Sequence, residues 1–273
     1  MNEIEVIKNA AEIGTTAYLI QQLGGKELVA KLLGPTADYL SLFPPFLIKK
    51  SIENIAHVFK FAVKKLGTKN DELASVPSRL LKDIVIEAAF CENVLMAEYF
   101  GGILAASRTK EGNNDRGIVL TSLIKSMSAI QIRAHYVLYS LVRNLFNGKQ
   151  GINIGISEGR NKLKTFVPLS IFENAMNNLT ANDLDHIFFG LSRNELIEPT
   201  NGWVFGNVNE LKKHYPLANE DGIIFSPSAL GTELFLWAHG YSDSNIRQIL
   251  DPELNLKFIN EISIFPGSVP VNG

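Results

Sequence analysis

Scarcity narrows this chain first. It contains a single cysteine, Cys91, so no internal disulfide can form, and the usage fits a reducing compartment. Long uncharged apolar runs are missing: the most apolar stretch, Leu28 to Ile48, is broken by Lys31, Asp38 and Pro44-Pro45. A spanning helix needs about 20 mostly apolar residues, so no membrane span is expected. The opening residues MNEIEVIKNAAEIG lack the basic start and apolar run of a secretory signal. The five histidines (His57, His135, His186, His214 and His239) are scattered, with no HExxH, no CxxC and no paired spacing for zinc. A nucleophile elbow, GxSxG, is absent, and Ile156-Ser157-Glu158-Gly159 comes nearest without the first glycine. Gly148-Lys149 is followed by Gln150, not by the Ser or Thr that a phosphate-cradling P-loop requires. Net charge is only −2, which argues against a protein built to coat nucleic acid. No cofactor and no metal are expected.

What is present is a large core. The 273 residues are 46% hydrophobic and 20% charged, enough for one large domain or two ordinary ones. Charge divides unevenly. Residues 1–150 carry 18 Lys+Arg against 14 Asp+Glu, a net of +4, while residues 151–273 carry a net of −6. The front half reads as helices. The first covers Glu3 to Gln22 and closes at Gly24-Gly25; the second covers Glu27 to Leu33 and stops at Gly34-Pro35. Pro44-Pro45 opens a long helix to Leu66, capped by Gly67. Pro77 suits a first helical turn, and Leu80, Leu81, Ile84, Val85 and Ala88 form a one-sided stripe behind it. A helix around Val94 to Ala106 is apolar almost all round and carries Gly101-Gly102. Two interior glycines, each costing roughly 1 kcal/mol against alanine, point to close backbone contact with a neighbour. After the polar loop Glu111 to Gly117 come a helix from Ile118 to Met127, then a Ser128/Gln131 capping box opening a helix to about Phe146.

Composition shifts at Gly148. Ile152, Ile154 and Ile156 alternate with small or polar residues, a strand-like pattern, among Gly151, Gly155 and Gly159. Helices are expected over Ser170 to Asn178 and Asn182 to Arg193, and strands over Glu195 to Pro199 and Gly222 to Ser226. A long insertion between those strands holds Trp203, Phe205 and a short helix at Asn209 to His214. A helix from Pro227 to His239 follows. The order helix, helix, strand, connection, strand, helix is similar to a winged-helix module. The expected fold is thus mainly α: a helical bundle over residues 1–148, then a smaller α+β winged-helix-like domain over 149–273.

A set of short stretches carries a family resemblance. These are Lys31-Leu32-Leu33-Gly34-Pro35, Asn54, Val76-Pro77, Glu87-Ala88-Ala89, Gly102-Ile103-Leu104-Ala105 and Ser126-Met127-Ser128. Leu196-Ile197 and Ser228 to Phe235 extend the pattern, which runs from about residue 10 to 240. In order and spacing the chain resembles the abortive-infection alpha (Abi-alpha) family of bacterial proteins linked to phage defence. The resemblance implies a defence setting and no catalytic residues.

Four features remain as candidate sites. On the long helix, Lys49, Lys50, Glu53, His57, Lys60 and Lys64 share one face at 100° per residue, opposite Ile48, Ile52, Ile55, Ala56, Phe59, Val63 and Leu66. This face could meet an anionic membrane or an acidic partner, or be the solvated side of a core helix. Asp183, Asp185 and His186 (DLDH) could assemble a metal or acid–base site, yet acidic residues also suit a helix start after Thr180. Cys91 is either a nucleophile with a lowered pKa or a small core residue. Arg193 is the single cation of the helix that a DNA-reading winged helix would present, against Asp183 and Asp185. Together these features favour a non-enzymatic, cytoplasmic protein acting through a protein partner or self-association. The alternatives are a membrane-surface effector using Lys49, Lys50, Lys60 and Lys64, and a transcriptional regulator; nucleic-acid binding is not expected.

Overall fold

In the computed structural model the described residues are 17, 20–21, 24–35, 49–67, 74–177, 179–200, 202–242, 245–256, 258, 262 and 267–271. The expected helix at Glu3 to Gln22 lies almost wholly outside them, as do Pro44-Pro45. The described fold is mainly helical, with one small antiparallel sheet of four strands. The chain divides into two compact units. Residues Met1–Ser126 and Trp237–Ser242 form the first; Met127–Leu236 and Asp243–Gly273 form the second. The composition shift at Gly148 therefore falls inside the second unit.

The first unit holds α1 (Lys26–Leu33), α2 (Lys49–Leu66), α3 (Ser78–Ala89), α4 (Val94–Ala106) and α5 (Gly117–Lys125). The apolar side of α2, with Ile52, Ile55, Ala56, Val58, Phe59, Ala62 and Leu66, is buried, and α2 lies along α4 and against α3. The two glycines of α4 explain this closeness. A Cβ on Gly101 would sit 2.6 Å from Phe61 Cβ and 2.7 Å from Val58 O on α2, and one on Gly102 would collide with the Ala238 carbonyl. Adjacent residues on a helix point about 100° apart, so each glycine admits a different neighbour. Asn93 caps α4 by accepting from Met96 N at 2.9 Å. Inside the unit, Lys65 Nζ donates to Glu98 Oε1 at 3.1 Å, with the two side chains 6% and 0% exposed. Burial is the main cause that lowers the Lys65 pKa, and the Glu98 carboxylate works against it.

The second unit is built on α6 (Ala129–Phe146). Its Ser128/Gln131 capping box forms as expected, with Ser128 Oγ accepting from Gln131 N and Gln131 Oε1 accepting from Ser128 N. After it come α7 (Ser157–Asn161), β1 (Thr165–Pro168), α8 (Leu169–Met176), α9 (Ala181–Arg193), β2 (Trp203–Gly206), α10 (Val208–Leu211) and β3 (Gly222–Phe225). Then follow α11 (Ala229–Ala238), which runs past the unit boundary at Leu236, a 3₁₀ helix (Ile246–Leu250) and β4 (Val269–Pro270). The sheet order is β2-β3-β1-β4, with Thr165 opposite Phe225 and Trp203 opposite the other side of Phe225.

Two expected strands are replaced. The Ile152–Ile156 stretch turns instead of pairing: Gly159 packs so closely on the Asn153 backbone that a Cβ would clash there, and α7 follows. Arg160 clamps this loop, donating from Nη1 to Ile154 O at 3.0 Å and pairing with Glu198 at 2.6 Å. In the Glu195–Pro199 stretch the chain makes only an isolated bridge, Ile197 to Pro227. The strands that form are Thr165–Pro168 and, inside the supposed insertion, Trp203–Gly206.

Buried polar groups tie α6 to its surroundings. Tyr139 Oη donates to Leu196 O at 2.8 Å and accepts from Ser228 N at 2.9 Å. The fully buried His135 donates from Nε2 to Gly231 O at 3.0 Å. Burial holds this imidazole neutral, its pKa pushed down to about 3.

Candidate functional site

The solvent face of α9 carries Asp185, His186, Phe189 and Arg193 along one groove. Its N-terminus is set by Asp183, whose Oδ2 accepts from Thr180 N and Thr180 Oγ1, each at 2.7 Å. These bonds, the hydroxyl first, draw the Asp183 carboxyl below the usual carboxylate range. Asp183 is thus committed to capping, and DLDH does not close into one cluster. Among the described residues no three His, Cys, Asp or Glu side chains are grouped to hold a metal ion. One turn on, His186 Nε2 shares a 2.9 Å hydrogen bond with Ser128 Oγ, and Gln131 Nε2 donates to His186 O at 2.8 Å. The cap of α6 is thereby bolted to α9. Gly190 makes this crossing possible, because a Cβ there would strike the Gln131 amide.

Beside the crossing runs a groove of about 280 Å³ lined by Gln131, Asp185, His186, Phe189, Gly190 and Arg193. Phe188 and Phe189 part company at its edge. Phe188 is buried and stacks on Trp203, with ring centroids 5.5 Å apart. Phe189 is 62% exposed and meets the same indole edge-on at 5.3 Å. Trp203 in turn stacks on Phe205 at 5.9 Å. The result is an aromatic ledge of half-buried and exposed rings, with Asp185 and His186 at one end of the α9 face and Arg193 at the other. The sequence offered one overlooked signal for it: Phe189 occupies a position where the helical period calls for a polar side chain.

The remaining candidates separate. Of the lysine face on α2, His57, Lys60 and Lys64 are exposed, while the side chains of Lys49 and Lys50 lie outside the described set. The opposite, apolar side of α2 is consumed by packing in the first unit, so only the charged edge can face a partner. Cys91 is buried and its Sγ donates to Asn93 O at 3.4 Å. Burial pushes the thiol up to about 11, which keeps it protonated and unreactive near neutral pH. Gly148, Gly151, Gly155 and Gly159 lie in the turns before α7 and at α7 itself, and no strand feeds them. Among the described residues no helix is long and apolar enough to cross a membrane.

Comparison of the chain with protein-family models, with curated proteins and with solved structures gives no match in any of the three.

Proposed function

We propose that this chain is a non-enzymatic bacterial defence protein of the abortive-infection alpha type, and that it acts by docking a protein partner on the α9 face. One observation carries the docking part. The helix that would read DNA in a winged-helix module presents Phe189, 62% exposed and braced by Trp203, where a DNA reader needs cations. Aromatic anchors of this kind dominate protein–protein binding energy, whereas a lone Arg193 on a helix that also carries Asp183 and Asp185 neutralises little phosphate. The order α6, α7, β1, α8, α9, β2, α10, β3 and the run β2-β3-β1 in the sheet support the winged-helix-like reading of the second unit. The defence setting rests on the family resemblance.

The test is a phage challenge of a sensitive host carrying the chain, at low and high phage dose. Wild type is expected to let the culture survive a low dose and collapse at a high one. Phe189→Glu is expected to lose protection while the chain still folds, since the ring is 62% exposed and gives up only its edge-on contact with Trp203. Protection untouched by Phe189→Glu and Trp203→Ala sinks the docking role. Metal- or nucleotide-dependent turnover by the purified chain sinks the non-enzymatic one. The two competing functions have their own signatures. Salt-sensitive vesicle binding lost in Lys60→Glu and Lys64→Glu marks the membrane effector, and DNA retention lost in Arg193→Ala marks the regulator.

A further inference from the structure

A second cavity, of about 400 Å³, opens in the second unit where the turn after α6 meets the 3₁₀ helix. Its walls come from residues about a hundred positions apart, and both are held from beneath. Gly148, at φ +76°, donates from N to Leu250 O at 2.8 Å. The buried Arg143 donates from Nη1 to Ile249 O at 2.6 Å and from Nη2 to Leu254 O at 3.2 Å. A cavity fixed this way is preorganised, so a ligand need not order its walls.

The lining chemistry is of two kinds. Lys149 and Arg247 bring two cations, and neither forms an ion pair with a described residue; the Lys149 ammonium rests 5.1 Å over the Phe146 ring. Gln150, Asn245, Gln248 and Asp251 bring amides and a carboxylate, groups that pair with hydroxyls. The Gln248 Oε1 atom is sealed from solvent with no hydrogen-bond partner, a cost that a donor drawing the amide into the cavity would remove. No aromatic ring lines the cavity, so a nucleobase would find no stacking surface. Its volume falls at the small end of ligand pockets.

We propose that this cavity binds a phosphorylated sugar, its phosphate taken by Lys149 and Arg247 and its hydroxyls by Gln150, Asn245, Gln248 and Asp251. The site is independent of the α9 face, so either can fail without the other. Binding to the full chain is measured by titration calorimetry with glucose 6-phosphate, ribose 5-phosphate and glycerol 3-phosphate, and with inorganic phosphate, glucose and adenosine monophosphate as contrasts. At least one sugar or polyol phosphate is expected to bind with Kd of roughly 10⁻⁴ M, and inorganic phosphate and glucose each at least about tenfold more weakly. Lys149→Ala and Arg247→Ala each weaken it about tenfold, the loss expected for a charge-assisted contact. Both side chains are exposed, so folding is retained, and the exposed Lys162→Ala, outside the cavity, binds as wild type. The proposal is overturned if no sugar phosphate binds below about 10 mM. It is overturned equally if inorganic phosphate or the nucleotide binds as tightly, or if both alanine variants keep full affinity.

Discussion

At the scale of the residue, His135 shows how burial sets chemistry. Its imidazole lies against Tyr139 and Phe235, with centroids 4.5 and 6.4 Å away, and its contact with Gly231 O needs the proton on Nε2. The folded pKa of about 3 lies below the ordinary 6.5, so the unfolded chain binds the extra proton first. Stability from this group is therefore complete above pH 6.5 and drains as pH falls from there toward 3, by about 1.4 kcal/mol per pH unit. Urea unfolding followed from pH 7.5 to 4.5 should show that slope, and His135→Gln should remove it while lowering stability at pH 7.5. An unchanged slope in the variant would mean that the carboxylates alone govern acid sensitivity.

At the scale of the element, α4 is the most constrained helix. Gly101→Ala and Gly102→Ala each put a methyl against the backbone or Cβ of a neighbour, a fault that flexible side chains cannot absorb. Overpacking of this kind costs typically about 1–3 kcal/mol, and chemical denaturation should place Gly102→Ala in or above that range. A cost below about 0.5 kcal/mol would show the Ala238 segment yielding freely. This contact was legible in the sequence because a double glycine inside an apolar helix has few other uses. The Ser128/Gln131 box was legible for a similar reason: both partners lie within four residues and the bond pattern is local. The strands were not. Thr165–Pro168 is buried at all four positions and so shows no alternation, and it ends in proline. Ile152, Ile154 and Ile156 do alternate, yet the glycines around them fold the chain back before a partner can align. Trp203–Gly206 looked like insertion because its neighbour in the sheet, β3, begins only at Gly222. The candidate sites followed the same division. Asp183 as a cap could be read from spacing, whereas the Ser128–His186 bond and the Lys149–Arg247 cavity join residues whose separation carries no period.

At the scale of the whole molecule, each compact unit has its own ion pair, the buried Lys65–Glu98 in the first and the half-buried Arg160–Glu198 in the second. Glu98→Ala takes the carboxylate from an ammonium with 6% exposure, a loss expected to cost about 3–5 kcal/mol. Arg160→Ala removes a fork of three hydrogen bonds on the loop before β1, at about 1.5–3 kcal/mol. The two pairs have no residue in common and belong to different units, so equilibrium unfolding of the double variant should return the sum within about 0.5 kcal/mol. A larger deviation would show the units exchanging free energy.

The division of the chain also has a temporal side. The first unit is discontinuous: it reclaims Trp237–Ser242 after the whole stretch Met127–Leu236 has gone elsewhere. The Ala238 backbone fills the notch above Gly102, and Arg116 lies 5.8 Å over the Trp237 ring. On a ribosome emitting roughly 5–20 residues per second, the helices up to Ser126 emerge seconds before the segment that seals them. For that interval the apolar notch of a nascent chain stands open, and its closure waits until the whole stretch Met127–Leu236 has been made.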